Sequence, residues 1–203
     1  MNLKNSSIIR LKIFNPIFLI TLFCCFIAFS PTHTSSLVAN IELNNSENDT
    51  IKFTISFVGD IMVHQTQLDA QKSADGTYCF VNNFTPMKDV LSHSDISIGN
   101  LETTFAGAAK RYQGYPRFNS PDALAEAIKY SGINLVVTAN NHSYDHGGSA
   151  VLRTIEVLKN HELDYVGTRT STDEKPYIIR EIDGVRIAIT AYTYESGKRN
   201  GLK

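Results

Sequence analysis

The 203-residue chain carries 19 Lys and Arg against 20 Asp and Glu, a formal net charge of -1, and 42% apolar residues. That length supports one mid-size domain with its own core, and the near-neutral charge leaves no electrostatic case for nucleic acid as a partner. Of three cysteines, Cys24 and Cys25 fall in an N-terminal apolar run and Cys79 stands alone, which excludes an intrachain disulfide in the mature part and a Cys-rich metal site.

Lys4, Arg10 and Lys12 precede an almost unbroken apolar run, Ile17 to Phe29. This pattern predicts a signal peptide or uncleaved signal anchor over residues 1–30. The membrane is then the partner of this segment, and the domain is exported, to the outer face of the cytoplasmic membrane or beyond it. Residues 31–50 are polar and without period, and read as a linker; His33 is a solvated part of it. The domain proper spans residues 51–203.

Within it, Ile51, Phe53, Ile55 and Phe57 alternate along a first strand that ends in Gly59-Asp60. His64 follows, then a polar segment. Phe84, Met87, Val90 and Leu91 give a helical pattern, and Ser94 to Glu102 a second strand with a polar end. A loop from Gly107 to Asn119 leads to Ser120-Pro121-Asp122, which starts a helix as cap, Pro and first-turn acid and is stopped by Gly132. Ile133 to Val137 forms a third strand. Val151, Leu152, Ile155 and Leu158 mark one face of a helix running to about Asn160. A short strand at Leu163–Gly167 comes next, then a hairpin of Pro176–Ile182 and Val185–Tyr192 around Asp183-Gly184. Strand and helix repeated, followed by a hairpin, is an α/β chain with a mixed sheet. The chain ends just after a strand, and is expected to be a fragment or a truncated reading frame.

The chemistry concentrates at strand ends: Gly59-Asp60, Gly99-Asn100-Leu101-Glu102, and Asn140-Asn141-His142-Ser143-Tyr144-Asp145-His146-Gly147-Gly148. Parallel strands bring such ends to one edge, where open α/β sheets bind ligands. Carboxylate, amide and imidazole donors suit Mn, Fe, Zn or Mg, and a pair of such ions about 3.5–4 Å apart clamps attacking and leaving oxygens. Caps and turns account for the same residue types when each is taken singly. His93 and His161, at helix ends, are explained by a C-terminal charge interaction.

Gly59-Asp60-Ile61-Met62, Asn100-Leu101-Glu102, Tyr115-Pro116-Arg117-Phe118-Asn119 with Pro121-Asp122, Ala139-Asn140-Asn141-His142-Ser143, and Tyr192-Thr193-Tyr194 together resemble the CapA family of capsule (poly-gamma-glutamate) biosynthesis proteins. That family belongs with the calcineurin-like metallophosphoesterases. The resemblance runs from about Phe53 to Tyr194. It implies a four-layer αββα sandwich, incomplete here at the C-terminus, with a dinuclear divalent-metal site at the strand ends. By the same resemblance Asp60, Glu102 and Asn141 are metal ligands, with His64 a substitute for the His replaced here by Met62. His142 is the catalytic imidazole that protonates a leaving group. Arg117, with Tyr115 and Asn100, is the candidate for gripping substrate, and Asp145 and His146 for orienting His142. The later Gly-x-His-x-His pattern of the family has no counterpart after His161, so the 203-residue form is expected to bind metal weakly and to be inactive.

Two roles stay open at this level. One is a metal-dependent hydrolase of phosphoester or amide bonds in envelope polymer metabolism. The other is a non-enzymatic envelope component that binds polymer or capsule-synthesis proteins on the same fold.

Overall fold

The computed structural model describes residues 50–194 and the backbone of 17–22 and 37–44. The strands are β1 (Ile17–Leu22), β2 (Leu37–Asn44), β3 (Thr50–Ile61), β4 (Ile96–Leu101), β5 (Leu135–Val137), β6 (Asp164–Val166), β7 (Tyr177–Ile182) and β8 (Val185–Ala191). The helices are α1 (Gln65–Ala70), α2 (Val81–Ser92), α3 (Ala123–Tyr130) and α4 (Gly148–Asn160). They form two sheets, ordered β2-β3-β4-β5-β6 and β1-β8-β7. In the larger, β3 to β6 run parallel and β2 is antiparallel to β3.

Both faces of the parallel sheet are buried, as crossover helices require. On one face Leu68, Leu91, Leu124, Ile128, Val157 and Leu158 of the helices pack with Leu101 and Val136. On the other, Ile55, Ile96, Ile98, Leu135, Val137 and Val166 meet Ile187, Ile189 and Ala191 of the smaller sheet. Among the described residues this makes three layers, helix, sheet and sheet. They match the first three of the expected αββα sandwich, an α/β architecture of the metallophosphoesterase type.

The strand-helix order follows the sequence pattern closely, with instructive exceptions. The cap of α3 is Asp122, not Ser120; the Ser120 hydroxyl is instead buried in a hydrogen bond with Thr103 Oγ1. Helix α1 lies in a stretch that reads as merely polar, because its one buried residue is Leu68. The expected linker over residues 31–50 contains strand β2, whose Leu37, Ala39, Ile41 and Leu43 alternate as a half-buried strand does. Part of the N-terminal apolar run is also described. Ile17–Leu22 is a strand parallel to β8, in register from Ile17↔Arg186 to Leu22↔Ala191. A short apolar run rich in Ile and Phe suits either state, and periodicity does not separate them. The rest of the predicted leader lies outside the described residues. Among the described residues no helix is long and apolar enough to cross a membrane.

Two local features set where the functional ends lie. Between Phe57 and Asp60 the register of β3 on β4 shifts: Phe57 pairs with Ile98, but Asp60 pairs with Asn100. Val58 and Gly59 thus face the single residue Gly99, a β-bulge that re-aims the strand end. Gly167, at φ +122°, ends β6 where an added Cβ would stand 2.6 Å from the Ala139 backbone nitrogen, so only glycine lets β6 close on the end of β5.

Leu135 is fully buried between the sheets, whereas Leu152 on α4 is 41% exposed. Leu135→Ala is expected to cost about 2–5 kcal/mol by loss of transfer energy and an unfilled cavity. Leu152→Ala should stay within about 0.5 kcal/mol. Denaturant unfolding of both variants checks the layer assignment; equal losses would contradict it.

Candidate functional site

The parallel strands bring Asp60, Asn100, Glu102 and the Asn140–Asp145 turn to one carboxyl edge. Two asparagines tie them. Asn100 Nδ2 donates to Asp60 Oδ1 at 2.7 Å and to Glu102 Oε2 at 3.1 Å. Asn140 Nδ2 donates to Asn100 Oδ1 at 3.0 Å and to the Leu101 carbonyl at 2.9 Å. Asn140 Oδ1 then accepts the His142 N–H at 3.0 Å. Ser143 closes the turn: its hydroxyl accepts the Asn140 N–H at 2.8 Å and donates to the Thr138 carbonyl at 2.6 Å.

His142 is held from the far side by Asp145, with Nδ1 2.8 Å from Asp145 Oδ2. A carboxylate oxygen accepts, so Nδ1 carries the proton and Nε2 is left facing the site. Nε2 lies 3.9 Å from Glu102 Oε1, close enough for charge interaction and too long for a direct hydrogen bond. The Phe118 ring stands edge-on to His142 at 4.7 Å and to His64 at 5.2 Å. It walls one side of the imidazole.

Glu102 is only 7% exposed. Burial, then the negative charge of Asp60 and a hydrogen bond shared with it, push its carboxyl up to about 7; the Asn100 bond opposes this. Two carboxyl groups in contact resist double ionisation.

The loop before α3 reaches back over this turn. Asp145 Oδ2 also accepts the Phe118 N–H at 2.7 Å, Arg117 Nε donates to the Asp145 carbonyl at 2.8 Å, and His146 Nε2 lies 3.3 Å from the Arg117 carbonyl. Asp145 therefore contacts His142, whereas His146 contacts the Arg117 loop. Tyr115, preceding a cis peptide bond to Pro116, is 75% exposed. Arg117 is exposed as well, so both are open to solvent beside the site. Asn100 differs from its expected substrate role: both of its amide hydrogens and its oxygen are engaged by protein atoms. Asn140, not singled out by its type, is the second organiser of the edge; only its position after an apolar strand signals it.

The ligand expectations meet a mixed geometry. Asn141 Oδ1 is buried with no hydrogen-bond partner, and Asn141 sits between Asn140, bonded to Asn100, and His142, facing Glu102. A buried amide oxygen without a partner is a donor of the kind a hard divalent cation takes. His64 is turned to Phe118 and exposed at the start of α1. Among the described residues no group of three or more His, Cys, Asp or Glu side chains is arranged to hold a metal ion. The oxygen donors brought together at this edge are Asp60 and Glu102, joined through Asn100, with the unpaired Asn141 amide oxygen on the adjoining turn.

Known proteins are similar to this chain. The chain is 28% identical to the capsule biosynthesis protein CapA of Bacillus anthracis over 158 residues, 74% of this chain and 36% of that protein. It is 28% identical to the PGA biosynthesis protein CapA of Bacillus subtilis (strain 168) over 149 residues, 70% of this chain and 38% of that protein. An uncharacterized protein, y4sH, of Sinorhizobium fredii is 26% identical over 125 residues, 59% of this chain and 25% of that one. The matched part is thus well under half the length of each of these relatives. The family profile described as bacterial capsule synthesis protein PGA_cap matches residues 54–202, from β3 beyond β8. With most of the chain covered, this protein belongs to the PGA_cap family of bacterial capsule synthesis proteins.

Proposed function

We propose that this chain works outside the cytoplasmic membrane in capsule or poly-gamma-glutamate biosynthesis, as the acid–base site of a cation-assisted hydrolase of amide or phosphoester bonds. One observation carries the reading: His142 is fixed by Asp145 at one ring nitrogen and has the other 3.9 Å from the buried Glu102 carboxyl. An oriented imidazole beside a buried carboxyl is an arrangement suited to general acid–base work.

In this reading His142, in its charged form and held by Asp145, delivers its Nε2 proton to the departing atom, and the attacking water gives its proton up to solvent. Asp145 keeps the imidazole in the required tautomer and stabilises its charged form. Asp60, Glu102 and Asn141 would hold a divalent cation, which when bound polarises the oxygen of the scissile group. Phe118 excludes water from one face of the ring, and exposed Arg117 and Tyr115 stand where an anionic substrate enters. The names of the two CapA relatives support the pathway. Export is supported by Lys4, Arg10 and Lys12 ahead of the apolar run; that run has two alternative partners, the membrane and the β8 edge.

Turnover of short gamma-linked glutamate oligomers and of an aryl phosphate, with Mn²⁺ present, tests the reading. His142→Gln should lower the rate about 10²–10⁴-fold, the usual worth of a positioned proton donor. The reading departs here from the inactivity expected of the 203-residue form: equal rates for parent and variant, or no turnover by the parent, would contradict it.

A second expectation concerns pH. The folded Glu102 carboxyl ionises near 7 against an ordinary 4.5, so the folded state binds the extra proton. Its stabilising contribution is full below the unfolded value and is lost as pH rises through about 7. Glu102→Gln removes that loss. Its melting temperature should gain on the parent between pH 5 and pH 8, and parallel curves would refute the strained carboxyl pair.

A further inference from the structure

We propose that Phe118 is a positioning residue for His142, its ring fixing the plane of the imidazole and its N–H fixing the carboxylate that holds it; that this placement serves proton transfer rests on the functional reading above. The imidazole needs a second restraint. Asp145 Oδ2 meets it at one atom, Nδ1, at 2.8 Å. A hydrogen bond to a single atom leaves the ring free to swing about that contact, and the terminal torsion of a histidine is broad. Nε2, the nitrogen 3.9 Å from Glu102 Oε1, lies across the ring from the contact and moves with any such swing.

Phe118 restrains the pair from a different direction. Its ring centroid stands 4.7 Å from that of His142, with the two planes at 89°, within the range in which perpendicular aromatic rings attract. The main chain acts as well. The Phe118 N–H donates to Asp145 Oδ2 at 2.7 Å, the same oxygen that faces His142 Nδ1. A carboxylate oxygen has two acceptor sites, so the two donors together set the rotation of the carboxylate. Packing alone would account for a buried ring. It does not account for a main-chain donor on the oxygen that orients the imidazole.

A restraint works only if it is itself fixed, and Phe118 is. Its side chain is 1% exposed, and its carbonyl accepts the Thr104 hydroxyl at 2.8 Å and the Thr104 N–H at 3.3 Å. The next residue, Asn119, is fully buried and commits its whole side-chain amide to the loop. Oδ1 accepts the Ala106 N–H at 2.7 Å, and Nδ2 donates to the Gly107 and Arg111 carbonyls at 3.0 and 2.9 Å. Its main-chain N–H and carbonyl both pair with Gln113 at 3.0 Å. Gly114 lets the loop lie on the start of α1, where an added Cβ would stand 2.8 Å from the His64 Cα. A loop whose buried polar groups are satisfied in this way is rigid as a unit.

Carbon-13 relaxation of the His142 ring in the full chain, measured without substrate, tests the role. In the parent the ring should show a rigid order parameter, about 0.85; a flexible parent ring would overturn the proposal before any variant is made. Phe118→Leu and Phe118→Met keep an apolar side chain and the main-chain N–H while removing the aromatic ring, and either one that folds decides. The His142 order parameter should fall below about 0.6, and kcat should drop about 10–100-fold with KM unchanged. Leu135→Ala weakens the fold away from the site and should move neither quantity in the folded protein. A His142 ring as ordered in the Phe118 variants as in the parent, or loosened equally by Leu135→Ala, would overturn the role. A parent that turns over no substrate, but whose His142 loosens in Phe118→Leu, leaves the positioning role standing and removes the hydrolytic reading. Turnover that is lost in His142→Gln and undiminished in Phe118→Leu does the reverse.

Discussion

The site depends on one interaction, the side-chain amide clasp between Asn100 and Asn140. Asn100 ends one parallel strand and Asn140 follows the next, and their amides meet at 3.0 Å. Through that contact Asn100 reaches both acidic groups, and Asn140 reaches the His142 backbone. Polar groups at a sheet edge covered by a turn cost several kcal/mol each unless they are paired. Here each amide pairs with the other and with a functional residue, so satisfying one places the next. Networks of this kind rigidify as units because leaving any member unpaired is expensive.

The clasp works because the strands deliver their ends in register. Asp60 reaches Asn100 only because β3 carries an extra residue opposite Gly99. A β3 without that bulge would pair Gly59 with Asn100 and leave no carboxyl for the amide. The bulge also divides the strand's packing: Phe53 and Ile55 face the smaller sheet, while Ile61 faces the helices. The same parallel arrangement crowds Glu102 against Asp60, so the fold carries an electrostatic cost at the point where chemistry is expected. A buried carboxyl held near neutrality is unfavourable for stability and useful for proton transfer, and such tension is typical of functional sites.

Most elements are legible in the sequence because their apolar periodicity is strong. The alternation in β3, the 3.6-residue pattern of α4 and the Asp183-Gly184 turn, with φ of 48° and 80°, each carry one meaning. The stop at Gly132 is equally plain, at φ +94° and close to the Ser92 backbone. Features that rest on tertiary contact are not legible. Helix α1 has a single buried residue, and the bulge in β3 looks like ordinary strand sequence. Strand β2 alternates, but within a polar stretch that composition marks as linker, and Ile17–Leu22 is apolar enough for membrane or sheet. At the site, Asp60, Glu102, Asn141 and His142 are signalled by their place after apolar strands. The division of labour between Asn100 and Asn140 is not, since donors and acceptors are assigned only by neighbours distant in sequence. His64 reads as a ligand by spacing, while in the fold its ring is directed at Phe118.

The central claim is that Asn100 and Asn140 act as one unit that assembles the edge. A double-mutant cycle of Asn100→Ala and Asn140→Ala, followed by denaturant unfolding, measures it directly. Residues in one hydrogen-bond network couple by about 0.5–3 kcal/mol. The account predicts that the double variant loses less stability than the sum of the two singles, by at least about 1 kcal/mol, because either change alone already breaks the clasp. Losses that add within about 0.3–0.5 kcal/mol would mean that the two amides act independently, and would contradict it.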